Sequence, residues 1–110
     1  MEGSAKSSER YFDYAGRSIR LTRERLVHIN EHPEMRSLSN EIPKVLRFPE
    51  VVVESVSDNL VNLYYRNERS QTLGSKHLCV VVKLTDDPFV ITAYVTDRVK
   101  QGRVVWPDAP

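Results

Sequence analysis

Apolar positions recur at three and four residues in the first half of the chain, and at every second residue from about Val51 onward. The change of period predicts helices first and strands afterwards. Before the helices, Tyr11 to Leu21 reads as a short hairpin: Phe12 and Tyr14 lead into Ala15-Gly16-Arg17, and Ile19 and Leu21 then alternate with Ser18 and Arg20. Thr22 is a natural N-cap, with Glu24 in the first turn, for a helix running to about His32. Pro33 disfavours helical geometry at His32 and ends it. A second helix is expected from about Ser39 or Asn40 to Arg47, with Pro43 in its first turn, where a missing amide proton costs little.

Four strands should follow, at Val51 to Val56, Leu60 to Arg66, His77 to Leu84 and Phe89 to Thr96. They are separated by Ser57-Asp58-Asn59, an exposed loop from Asn67 to Lys76, and Thr85-Asp86-Asp87-Pro88. Connections this short imply antiparallel neighbours. The expected fold is therefore α+β, with N-terminal helices packed on one face of a four-stranded antiparallel meander sheet. The expected organisation is a flexible tail at 1–10, one domain over 11–106 and a short tail at 107–110.

Alternation then assigns two faces. Val61, Leu63 and Tyr65, Leu78 to Leu84 at even positions, and Phe89, Ile91, Ala93 and Val95 are expected beneath the helices. The opposite, open face would carry Asn62, Tyr64 and Arg66, then Cys79, Val81 and Lys83, then Val90, Thr92, Tyr94 and Thr96. Pairing Leu84 with Phe89 across the last turn brings Val81 opposite Thr92 and Cys79 opposite Tyr94.

Charge narrows the reading. With 16 Lys and Arg against 15 Asp and Glu, the molecule has almost no net field, so polyanion binding would need a local patch. The one cysteine, Cys79, sits mid-strand among valines, where a thiol is usually inert, and it has no partner for an internal disulfide. No apolar run approaches a membrane span, and MEGSAKSSER is too polar for a signal peptide, so a cytoplasmic location without membrane contact is expected.

The open face offers hydroxyls, phenols and two cations, a set that suits phosphodiester chemistry on RNA. There the ribose 2′-hydroxyl is the nucleophile, and the protein supplies proton transfer and charge stabilisation. A solvated sheet face would carry the same residue types for solubility alone. Arg25, His28 and His32 share one side of the first helix, which makes the two histidines candidates for general base and general acid, or for caps of the helix end, where a cationic imidazole is favourable. HINEH has the histidine spacing of zinc-binding helices, but Ile29 stands where the metalloprotease glutamate would be, so no metal or cofactor is expected.

The runs IRLTRERLVHINEHPEM, LYYR, GSKHLCVVVK and FVITAYVTDRVKQGRVVW, spaced over Tyr11 to Trp106, resemble the phage-associated branch of the barnase, EndoU, colicin and RelE-like nucleases. The resemblance implies a compact metal-independent endoribonuclease, toxin- or phage-related, with RNA as substrate and an inhibitor or antitoxin protein as a further partner. Carried over by position, it points to His28, His32, Arg66, Lys83, Thr92 and Tyr94 as catalytic and to Thr96 as contacting substrate, with Tyr64, able to stack on an unpaired base, and Lys76 as further substrate-binding candidates. The alternative is a non-catalytic protein- or RNA-binding module that uses the open sheet face.

Overall fold

The computed structural model describes residues 8–70 and 74–107. It opens on strands β1 (Ser8–Phe12) and β2 (Ser18–Thr22), which pair antiparallel with Tyr11 opposite Ile19, as the expected hairpin requires. Gly16 at its tip has φ of +83°, a left-handed geometry available to a residue without a Cβ. Asp13 ties the turn together, its Oδ1 accepting from the amides of Ala15 and Arg17 at 3.0 and 2.8 Å. Of the stretch expected as a tail, Ser8 to Arg10 belong to β1, while 1–7 and 108–110 lie outside the described residues.

Helix α1 (Arg23–Ile29) starts where the sequence places it, with Thr22 Oγ1 accepting from the Arg25 amide at 3.1 Å. It ends short of His32, because Pro33 holds His32 extended, and a single 3-10 turn over Pro33–Met35 follows. A second such turn, Ser39–Glu41, runs into α2 (Ile42–Arg47), which buries Ile42, Val45 and Leu46.

Strands β3 (Val51–Glu54), β4 (Val61–Ser70), β5 (Gly74–Lys83), β6 (Phe89–Thr96) and β7 (Arg103–Trp106) complete the fold. The sheet order is β1-β2-β6-β5-β4-β3-β7. The expected four-stranded antiparallel meander under N-terminal helices is thus corrected to a seven-stranded mixed sheet with two short helices. The hairpin β1-β2 does not stand apart. It docks β2 parallel to β6, and the Arg20 amide donates to the Pro88 carbonyl at 2.9 Å. The expected loop from Asn67 to Lys76 is largely paired strand as well, since β4 and β5 continue in register through Glu68 opposite Lys76.

The face assignment needs two corrections. Tyr64, expected on the open face, lies fully buried under the helices with Leu78, Val80 and Val82, while Leu63 and Tyr65 share the other face with Cys79 and Val81. Both faces of β4 are covered, one by the helices over Tyr64 and the other over Leu63 and Tyr65, so its alternation separates the two sets without saying which of them meets the helices. In β6, Val81 opposes Thr92 and Cys79 opposes Tyr94 as expected, but the register then shifts, so that Val82 opposes Val90 and Lys83, not Leu84, opposes Phe89. This bulge leaves Ile91 as the extra residue. Val90 enters the helix-side core and Ile91 packs on the opposite face.

That opposite face is not open. Strands β6 and β7 are separated by β5, β4 and β3, so their connection, 97–102, must cross the sheet. Four interstrand spacings come to about 19 Å, close to the reach of six extended residues, so this strap has little slack. Val99 packs on the cluster of Leu63, Tyr65, Cys79 and Val81, and the Lys100 amide donates to Tyr65 Oη at 3.1 Å. At Gly102 any Cβ would collide with the Glu54 carbonyl and lie 2.7 Å from Val53 Cγ1, so the strap can meet β3 closely only at a glycine.

Candidate functional site

The residues singled out by sequence fall into four places: the end of α1, the helix side of the sheet, its opposite face, and a groove at the strand ends. His28 is exposed near the end of α1, with Nδ1 3.4 Å from Glu31 Oε1. Arg66 is on the helix side of β4, where Nη1 donates to the Phe48 carbonyl at 2.7 Å. Lys83, on the opposite face, holds Asp58 Oδ2 at 2.6 Å, and this bond keeps the Asp58 carboxyl below the usual carboxylate range. Since Arg66 pairs with Leu78, it lies five positions along β5 from Lys83, or about 17 Å, and on the other side of the sheet. These two cations do not share a cleft.

Tyr64 is likewise committed to the interior. Its hydroxyl donates to Asp13 Oδ2 at 2.6 Å, and Arg17 Nε donates to the same oxygen at 2.9 Å. Burial first, then the bond to Asp13, pushes the Tyr64 phenol far above its ordinary range, so it stays neutral. Sequence reasoning missed Asp13, although an aspartate before Ala15-Gly16 is a recognisable turn signal.

Thr92 and Tyr94 lie on the strap-covered face, opposite Val81 and Cys79. Partly buried Tyr94 packs beside Cys79 and Tyr65, which are fully buried. Burial pushes the thiol up to about 11 and the Tyr65 phenol up to about 12, and raises Tyr94 as well. A thiol held that high is a poor nucleophile at neutral pH.

One groove does gather residues from distant segments. It has a volume of about 410 Å³ and is lined by Glu34, Lys76, Val95, Thr96 and Asp97. Local structure explains it. Met35, fully buried, anchors the 3-10 turn, so that Glu34 reaches the groove while His32 is exposed just before Pro33. From the sheet side, Lys76 stands near the start of β5 and Thr96 at the end of β6. Lys76 Nζ bonds Asp97 Oδ1, and this contact, with a smaller push from Arg98, holds the Asp97 carboxyl below its ordinary range. The Thr96 hydroxyl donates to the Arg98 carbonyl at 3.3 Å.

Lys76 and Thr96, both expected to touch substrate, therefore meet, and His32 lies two residues from Glu34. Glu34 and Asp97 were not singled out by sequence. Their signal was adjacency: Glu34 follows His32-Pro33, and Asp97 follows Thr96. The groove opens beside the helix-side ends of the strands, not on the sheet face.

Among the described residues, no three His, Cys, Asp or Glu side chains cluster as a metal site, and no helix is long and apolar enough to cross a membrane. No family model, curated protein or solved structure matches the chain.

Proposed function

We propose that the protein is a metal-independent endoribonuclease acting at the groove between the Pro33–Met35 turn and the ends of β5 and β6. The observation that supports this reading is convergence. Glu34 comes from the HINEHPEM run, Lys76 from GSKHLCVVVK, and Thr96 and Asp97 from FVITAYVTDRVK, so three of the segments that resemble the nuclease family contribute to one groove. Two acidic residues, a lysine bound to one of them and a threonine line the same space, and the exposed His32 stands two residues before Glu34 in sequence.

The chemistry assigns each group a task. The Glu34 carboxylate takes the proton from a ribose 2′-hydroxyl as its oxygen attacks the adjacent phosphorus. The bond from phosphorus to the 5′-oxygen breaks, and the His32 imidazolium protonates that leaving oxygen. The products are a 2′,3′-cyclic phosphate and a free 5′-hydroxyl. Lys76, shared with Asp97, offsets the charge gathering on the phosphoryl oxygens, and Thr96 donates a hydrogen bond to one of them once its hydroxyl turns away from the Arg98 carbonyl.

Cleavage of a labelled RNA in excess chelator tests the assignment. Wild-type protein should cut, Glu34→Gln and His32→Ala should each lose about a hundredfold or more, and Lys76→Ala should lose activity while folding normally. Wild-type protein that leaves both single-stranded and structured RNAs intact, or a Glu34→Gln variant that cuts like the parent, overturns it. The second reading, a non-catalytic binding module, draws on the engagement of Arg66 and Lys83 on opposite faces of the sheet. It gains ground if RNA is bound but never cut.

A further inference from the structure

We infer that the corner after α2 is a stacking platform for single-stranded RNA, which feeds the groove; this rests on the ribonuclease reading for its biological use, but not for its test. Phe48 caps α2 with its ring 57% exposed, and Trp106 is 36% exposed on the edge strand β7. Lone exposed apolar side chains are ordinary. Here two rings are fixed to one backbone corner: Trp106 Nε1 donates to the Pro49 carbonyl at 3.3 Å, and Arg66 Nη1 donates to the Phe48 carbonyl at 2.7 Å. Tyr14 joins them, its amide donating to the Leu46 carbonyl at 2.9 Å and its ring 4.9 Å from that of Trp106.

Charge selects the occupant. The Arg47 guanidinium lies 5.0 Å from the Phe48 ring centre and that of Arg17 5.6 Å from the Tyr14 ring centre, with Arg66 and Lys44 on the same corner. Opposing them are Asp13, which is buried and bound to Arg17, and Glu50, which accepts the Asn67 amide. A molecule of net charge +1 has therefore collected cations and exposed aromatic rings in one place. Together these fit phosphates and unpaired bases, the rings offering stacking faces and the cations tracking the backbone.

The platform is also within reach of the groove. Arg66 pairs across β4 and β5 with Leu78, and Leu78 pairs with Val95, which lines the groove, so about 10 Å of sheet separates them. Trp106 lies farther out, opposite Val52, Tyr64 and Val80 in turn and about 20 Å from Lys76, so a strand stacked on the rings would reach a phosphate held at Lys76 through a few intervening nucleotides.

Trp106 is the only tryptophan, so its fluorescence reports the platform directly. Titration of the full chain with a short single-stranded 2′-O-methyl RNA, which cannot be cut by 2′-hydroxyl attack, should quench it. Phe48→Ala should weaken binding about tenfold, and Arg47→Ala should flatten the slope of log affinity against log salt by about 0.7. Both side chains are exposed, so the variants should fold. A duplex of the same sequence should bind at least about tenfold more weakly. The proposal falls if Phe48→Ala binds like the parent, if duplex and single strand bind alike, or if the surface instead pairs two copies of the protein. Because the probe cannot be cleaved, loss of the platform and loss of nuclease activity are separate results.

Discussion

The two faces of the sheet are closed by different means. On the helix side, α1, α2 and two short turns lay Ile29, Met35, Ile42, Val45 and Leu46 over Tyr64, Leu78, Val80 and Val82. On the other side, a six-residue strap covers a smaller cluster, with Val99 and one backbone bond to Tyr65 doing most of the visible holding. The first closure uses several independently formed elements. The second depends on a connection of nearly minimal length whose far end must pass β3 at Gly102. The helix face should therefore tolerate local change at its rim better than the strap face does, except where its one buried carboxylate is concerned.

That carboxylate offers the largest test. Asp13 is 1% exposed and accepts from two amides, Arg17 Nε and Tyr64 Oη. Asp13→Ala would leave the Tyr64 hydroxyl and the turn amides without partners, and should cost about 3 kcal/mol or more in urea unfolding. A loss below about 1 kcal/mol would show that water replaces the carboxylate and that this corner is looser than the geometry implies.

The strap is tested next. Gly102→Ala pushes a methyl group into the Glu54 carbonyl and Val53, and should destabilise by about 1–3 kcal/mol. Backbone amides of 97–102 should also gain hydrogen exchange relative to those of α2. Equal protection in parent and variant would mean that the strap shifts without cost, and the contrast between the faces would weaken.

The smallest effect at neutral pH lies under the strap. In the fold, Cys79 is raised from 9.0 to about 11 and Tyr65 from 10.0 to about 12, so both are held neutral. Groups with raised folded values contribute stability that is complete below their unfolded values and lost as the pH climbs through their folded ones. Stability should thus hold up to about pH 9 and fall between there and pH 12. Cys79→Ala should postpone the onset of that fall. A midpoint in denaturant that stays level from pH 9 to 12 would place the thiol and phenol in contact with solvent.

The sequence was informative where one local signal sufficed. Thr22 capped the helix it was expected to cap, Pro43 lay in the first turn of α2, and the hairpin at Gly16 formed. It was silent where two faces competed. Val61 to Arg66 alternates clearly, but both of its faces end up covered, and only tertiary packing decides that the set holding Tyr64 rather than Tyr65 meets the helices. The bulge at Ile91 has no local marker, because β-branched residues occupy both phases of β6. β7 is four residues long and pairs with β3, half the chain away, so nothing near it in sequence announces a strand. For the candidate site, Lys76 and Thr96 were readable as polar residues at strand ends, but the carboxylate facing them depends on where Met35 pins a single turn.

The strap also sets an order of events during synthesis. Leu63, Cys79 and Val81 leave the ribosome before the segment that shelters them, so the nascent sheet carries a bare apolar flank until Val99 arrives. In that interval a chaperone, or a second nascent chain, meets a hydrophobic surface that the finished molecule hides, which makes the time before residues 97–102 lie down across the sheet the moment of greatest aggregation risk.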